Sequence, residues 1–344
     1  MVDQAELDAS DASHHPYSKL GPDQVLDAVE ELGLESSARI FALNSYENRV
    51  YQVGLEDTAP IVAKFYRPNR WSDAQILEEH AFVNELAEAE IPVVAPLVIK
   101  GKTLLHYCHE EAAFRFAVFP RQGGRTPELD RRGSLEWMGR FLARIHAVGA
   151  RRMFESRPYI DIESFGVEPS RYLLSNDFIP QDLREVYRGV VGQALEGVRR
   201  CYERAGDVAN LRLHGDCHLG NVLWTDEGPH FVDFDDSRNG PAIQDIWMLF
   251  SGDRSEMQAQ LNEFLEGYER LQDFDLRQLN LIEALRTLRL IHYAAWIAMR
   301  WNDPAFPVAF PWFNTQRYWQ DRILELREQI ALMDEPPLLA SGNV

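Results

Sequence analysis

LRLHGDCHLGNVLWTDEGPHFVDFDDS, residues 211–237, is the stretch whose reading decides the fold. Two short apolar segments, Asn221–Trp224 and His230–Phe234, flank the turn Asp226-Glu227-Gly228, and this pattern predicts a β-hairpin. Before it stands His214-Gly215-Asp216, with Asn221 five residues after the aspartate. After it stand Asp233, Asp235 and Asp236. This set suits phosphoryl transfer, which needs an orienting base for the attacking hydroxyl and metal-bound phosphates. Asp216 can accept the proton. Asn221 offers a neutral amide oxygen, and Asp233 an anionic one, to a hard Mg²⁺ ion.

An Asp, an Asn five residues on, and a second Asp beyond a hairpin follow the catalytic and metal loops of protein kinases. The spelling departs from theirs: Gly215 replaces an Arg, His218 replaces a Lys, and Asp235 replaces the Gly of the metal loop. With that spelling the stretch resembles the aminoglycoside phosphotransferase and choline kinase branch of the kinase-like folds. The resemblance implies an α+β, bilobal fold with a small β-rich N-lobe and a larger helical C-lobe. It also implies Asp216 and Asp233 as catalytic residues.

The 344 residues are enough for a large core and two domains. A formal charge of −19 argues against non-specific binding to nucleic acid and to anionic membranes. Cys108, Cys201 and Cys217 lack metal-ligand spacing and suggest a reducing compartment. The acidic, polar start has no signal-peptide pattern, and no apolar run reaches membrane length. The composition therefore leads us to expect a cytoplasmic protein that binds neither membrane nor nucleic acid.

The expected domains are a flexible tail (1–18), an N-lobe (19–120), a hinge (121–126) and a C-lobe (127–344). In the N-lobe, helical spacing covers Pro22–Leu32, with Gly33 as its stop. Strands are expected at Arg39–Leu43, Val50–Leu55, Ile61–Tyr66, Leu97–Ile99 and Phe116–Phe119. The polar turn 44–49 contains Ser45 and Asn48, both candidates for phosphate contacts. Lys64 is one of four lysines and lies inside the apolar strand Ile-Val-Ala-Lys-Phe-Tyr, where a charge needs a partner. In kinases such a lysine grips the α- and β-phosphates and pairs with a helix Glu. Ser72 caps the following helix, Asp73–Ala89. This helix offers Glu79, with Glu78 as the alternative; the interval from Glu79 to Leu86 matches related sequences. The Gly123-Gly124 linker suits a hinge, at which the backbone around Phe119 and Arg121 would meet adenine.

In the C-lobe, amphipathic spacing predicts helices over Glu136–Val148 and Pro180–Arg204, with His146 packed. Leu281–Trp301 reads as a buried helix despite Glu283, Arg286, Arg289 and His292. Asp245 stands where kinases hold the catalytic-loop backbone. The short interval from Asp233 to Asp245 leaves no long activation segment. The aromatic run from Trp296 to Phe313 is read as packing or as the wall of an acceptor pocket. Cys217 is read as a small buried residue.

Stretches outside the general motifs narrow the resemblance. LNSYENRVYQ (43–52), AKFYRPNRWS (63–72), RNGPAIQDIWML (238–249) and DPAFP (303–307) resemble the stress response kinase A family of bacterial serine/threonine protein kinases. That resemblance implies a monomeric cytoplasmic enzyme with ATP as co-substrate. Its partners would be proteins with Ser or Thr acceptors, its own chain included. It implies Asn221 and Asp233 on Mg²⁺, and Ser45 as an ATP contact. His218 is a further candidate for the transferred phosphate. The site motifs suit a small-molecule kinase of the amino alcohol, homoserine or aminoglycoside type equally well. A pseudokinase would leave Lys64, Asp216, Asn221 and Asp233 without a purpose.

Overall fold

The computed structural model describes residues 15–110 and 112–339. The expected tail therefore lies mostly outside the described residues. The chain forms two compact units. The first takes in residues up to Gly124, together with His230–Asp235 and Asn302–Ala309. The second takes in Arg125–Pro229, Asp236–Trp301 and the residues from Phe310 onward. Both short segments of the first unit had been expected in the C-lobe.

The first unit is built on five antiparallel strands: β1 (Ser36–Ala42), β2 (Arg49–Leu55), β3 (Ile61–Phe65), β4 (Leu105–His109) and β5 (Ala112–Pro120). They lie in the order β1-β2-β3-β5-β4. Val53, Ala63, Phe65, Phe116 and Val118 fill one face of the sheet. Helix α1 (Pro22–Glu30) covers that core with Val25, Ala28 and Val29. Tyr17 is buried in the same core, and its hydroxyl donates to the carbonyls of Glu47 and Phe65. Tyr17 is thus anchored in this core, whereas its neighbours Pro16 and Ser18 are exposed. Helix α2 (Asp73–Glu88) begins at Ser72, whose hydroxyl accepts from the Gln75 N–H, and buries Ile76, Phe82, Val83 and Leu86.

Two strand expectations need correction. Leu97–Ile99 is not a strand: Leu97 N–H donates to Val118, and Ile99 pairs only with Lys102. The missing strand is β4, Leu-His-Tyr-Cys-His, whose inward positions Leu105 and Tyr107 alternate with polar ones. Its two histidines had hidden the alternation.

The second unit is mainly helical: α3 (Ser134–Gly149), α4 (Glu168–Ser175), α5 (Gln181–Ala205), α6 (Arg254–Tyr268), α7 (Ile282–Ala298) and α9 (Gln316–Asp334). The short α8 (Ala305–Ala309) belongs to the first unit. Helices α3 and α6 meet backbone to backbone. A Cβ on Gly139 would lie 2.1 Å from the Phe264 carbonyl oxygen, and one on Gly267 would lie 2.0 Å from that of Glu136. Strands β6 (Asn210–Arg212) and β9 (Asn239–Pro241) pair antiparallel and bracket the stretch quoted first. Within it, β7 (Val222–Thr225) and β8 (Gly228–Phe231) form the expected hairpin. The second strand ends at Phe231, not Phe234, because Phe234–Asp236 turns into a 3₁₀ helix. Among the described residues no helix is long and apolar enough to cross a membrane.

Candidate active site

In the second unit the catalytic-loop candidate leaves β6 through Leu213 and turns at Gly215. Gly215 has φ +88°, and a Cβ there would sit 2.1 Å from the Asp236 carbonyl oxygen, so both conformation and space require glycine. The Asp245 carboxylate holds the turn from below. Its Oδ2 accepts from the His214 N–H and its Oδ1 from the Gly215 N–H, both at 2.8 Å. His146 Nε2 lies 3.3 Å from the same carboxylate, and its Nδ1 lies 2.9 Å from the Tyr268 hydroxyl. A carboxylate only accepts, so Nε2 carries the proton and Nδ1 accepts from Tyr268. This buried chain, Tyr268 to His146 to Asp245 to the loop amides, gives His146 a structural task in place of simple packing.

The loop presents Asp216 with both carboxylate oxygens engaged. Arg289 of α7 donates to Oδ1, and His218 Nε2 lies 3.4 Å from Oδ2. The other ring nitrogen of His218, Nδ1, accepts from the Gly220 N–H at 2.9 Å, which fixes the proton on Nε2. Burial works against ionisation of Asp216. His218 and Arg289 outweigh it and hold the carboxyl well below its usual range. Asn221 donates its side-chain N–H to the Asp216 carbonyl at 3.0 Å, so its Oδ1 remains available as an acceptor. Cys217 is buried. Burial, Asp245 and Asp216 all push its thiol up, which makes it a poor nucleophile.

In the first unit Lys64 is buried on β3. Its Nζ is 2.9 Å from Asp233 and 3.2 Å from Asp235. Burial alone would lower its pKa; the carboxylates of Asp233, Asp235 and Glu79 raise it well above the ordinary value. Glu79 is 2% exposed on the inner face of α2, whereas Glu78 is only half-buried, so Glu79 is the helix carboxylate facing this lysine. Asp233 has φ +59° at the end of the hairpin, a conformation that Asp tolerates better than most residues. Its side chain is half exposed and Asp235 is nearly buried. Arg70 donates to Asp235 and also faces Glu47 at 3.4 Å.

The turn residues fare differently. The Asn48 amide oxygen is committed to the Arg67 N–H at 3.1 Å, and the residue is 2% exposed. Through that bond Asn48 shapes the turn. Ser45 is half-buried. Phe119 lies near the end of β5, opposite Val62, and Arg121 follows it exposed.

Among the described residues no three His, Cys, Asp or Glu side chains gather to hold a metal by themselves. Asn221 Oδ1 in the second unit and the half-exposed Asp233 carboxylate in the first are each oxygens of the kind that Mg²⁺ takes. Sequence reasoning missed Arg289 and Arg70. Like Lys64, Arg289 is a charge inside an apolar element, where it needs a partner.

A sequence profile of the phosphotransferase enzyme family (APH) matches residues 40–282. Stress response kinase A of Salmonella choleraesuis (strain SC-B67) is 45% identical over 94% of this chain and 96% of its own length. Serine/threonine protein kinase RdoA of Salmonella typhimurium shows the same identity and coverage. Among solved structures, an amicoumacin kinase in complex with AMP-PNP, Ca²⁺ and Ami superposes with a TM-score of 0.72. It is 20% identical and covers 98% of this chain and 97% of its own. A microcompartment-associated aminopropanol kinase gives 0.68 at 18% identity, over 90% of this chain and 96% of its own. These likenesses establish the fold, and the profile and the relatives establish that the chain is a phosphotransferase of the APH family, within the stress response kinase A family.

Proposed function

We propose that the protein transfers the γ-phosphate of ATP, with Mg²⁺, to Ser or Thr hydroxyls of proteins, in the response of a bacterial cell to stress. The observation that carries the phosphotransfer is the buried Lys64, whose Nζ lies 2.9 Å from Asp233: it sets a phosphate-binding cation beside a carboxylate that can bind metal. The protein acceptor is supported by the relative named as a serine/threonine protein kinase, at 45% identity.

In this reading Lys64 binds the α- and β-phosphates and Glu79 supports it. Asn221 and Asp233 would hold Mg²⁺, which would neutralise charge on the phosphates. Asp216 orients the acceptor hydroxyl and takes its proton. The hydroxyl oxygen bonds to the γ-phosphorus as the bond to ADP breaks. His218 holds the second oxygen of Asp216 and keeps the carboxylate aimed. Ser45 and the backbone at Phe119 and Arg121 remain the candidates for further nucleotide contacts.

A second reading, a small-molecule kinase, is favoured by the amicoumacin and aminopropanol kinases among the structural neighbours. Incubation with γ-labelled ATP, Mg²⁺ and a panel of a generic protein, an amino alcohol and an aminoglycoside separates the two. Label on protein Ser or Thr supports the first reading, and label confined to a small molecule overturns it.

A further inference from the structure

The carboxylate that should receive a hydroxyl proton is closed by a cation. Arg289 donates to Asp216 Oδ1, while His218 occupies Oδ2. While Arg289 stays, it occupies one lone-pair direction of Oδ1 and competes there with an acceptor hydroxyl. The guanidinium can be reached from solvent: the Arg289 side chain is 38% exposed, while that of Asp216 is 24% exposed. A competing anion that offers Arg289 an equivalent partner can therefore draw it away from Asp216.

The same face of α7 shows what such an anion would belong to. Arg289, Tyr293 and Trp296 follow one another at helical spacing, and Arg300 continues the line in the turn beyond. Tyr293 and Trp296 stack with centroids 5.7 Å apart, and the Arg300 guanidinium lies 5.2 Å from the Trp296 ring. Phe310 closes edge-on against Trp296 at 5.9 Å. The face thus begins with a cation at Asp216, continues with flat rings and ends with a second cation. It suits an extended chain carrying acidic groups. The overall charge of −19 attracts cations from a distance, but such fields fade over about 8 Å at physiological salt. At contact range Arg289 decides.

We propose that Arg289 is a specificity-determining residue that selects acceptors bearing a carboxylate or phosphate beside the reacting hydroxyl. The acidic group draws the guanidinium off Asp216, and the released Oδ1 accepts the hydroxyl. An acceptor that offers only amines leaves the pair closed. This inference rests on the reading of Asp216 as the residue that orients the acceptor.

The test uses two acceptor pairs with the full-length protein, labelled ATP and Mg²⁺. One pair is a Ser peptide flanked by Glu and the same peptide flanked by Gln. The other is a hydroxyalkyl carboxylate and the matching hydroxyalkyl amine. In wild type the acidic member of at least one pair should be favoured by about tenfold in kcat/KM, the scale of one charge-assisted contact. Arg289→Gln should bring that ratio close to one, whatever its effect on the absolute rates. Arg289→Lys should restore part of the preference, and a purely structural arginine would not move the ratio at all. A ratio unchanged in Arg289→Gln, a wild-type preference for the neutral or amine member, or no transfer to any of the four would each overturn the inference. Wild type alone already tests the preference if a variant fails to fold. Label on the hydroxy acid and not on peptides would sink the protein-acceptor reading and sustain the role of Arg289.

Discussion

Asp216 carries the proposed chemistry, and its surroundings define what its loss should do. Asp216→Asn keeps the shape and can still receive the Arg289 donor, but it cannot take a proton. We expect transfer to fall about 10²–10⁴-fold, far more than any loss of stability from the missing charge explains. Full activity in that variant would remove Asp216 from the mechanism. The pH dependence has a definite sign. The folded-state pKa of Asp216 is depressed by His218 and Arg289 against the opposing effect of burial. Its ionised partnership therefore contributes stability above the unfolded carboxyl value of ~3.9, and loses it only as pH falls through the lower folded value. A carboxyl-resolved NMR titration should show Asp216 ionised throughout pH 5–8; protonation inside that window would contradict the geometry. At this scale the sequence was informative wherever a residue type is rare in its setting, as Lys64 is on an apolar strand. Arg289 escaped because α7 reads as a buried helix, and only the three-dimensional course of the chain brings it to a residue 73 positions earlier.

The elements that aim Asp216 are short, and their stability depends on a few buried polar links. Tyr268→Phe would leave His146 Nδ1 without its donor and should cost about 1–3 kcal/mol. Activity should fall more than the stability loss alone explains, because the Asp245 platform beneath the loop loosens. Thermal melts beside kcat measurements check this, and an unperturbed melt would show the link to be idle. Gly215→Ala places a Cβ against the Asp236 carbonyl and demands positive φ of an alanine, so we expect at least ~1 kcal/mol of destabilisation and a displaced loop. The hairpin, the cap at Ser72 and the helix over 134–149 were legible because turn chemistry and helical period are local signals. β4 was not, since His106 and His109 mask its alternation and only pairing with β5 makes it a strand.

The first unit is assembled from three stretches of chain, and its buried charges tie them together. Asp303, from the third stretch, accepts from Arg67 at 2.6 Å and from Arg49 at 3.3 Å. Arg67 also faces Glu47 at 3.1 Å. Burial opposes the Asp303 charge, yet the two arginines and the Ala305 N–H lower its pKa. Its contribution is accordingly present above ~3.9 and fades as pH falls through the depressed value. Asp303→Ala would remove the carboxylate that Arg49 and Arg67 share, leaving Arg67 with Glu47, and should destabilise the fold by about 3–5 kcal/mol, read from chemical denaturation. A loss below ~1 kcal/mol would show that the buried cations find other partners. DPAFP was recognisable in the sequence as a family feature, but not as part of the sheet-bearing unit: its partners lie more than 200 positions away, and nothing local encodes them.

The measurement that tests the account most directly is transfer from γ-labelled ATP with Mg²⁺ to a protein acceptor, wild type beside Asp216→Asn. The account predicts label on Ser or Thr with wild type alone. Equal label from both proteins would contradict the role of Asp216, and label from neither, with a small molecule phosphorylated instead, would contradict the protein acceptor.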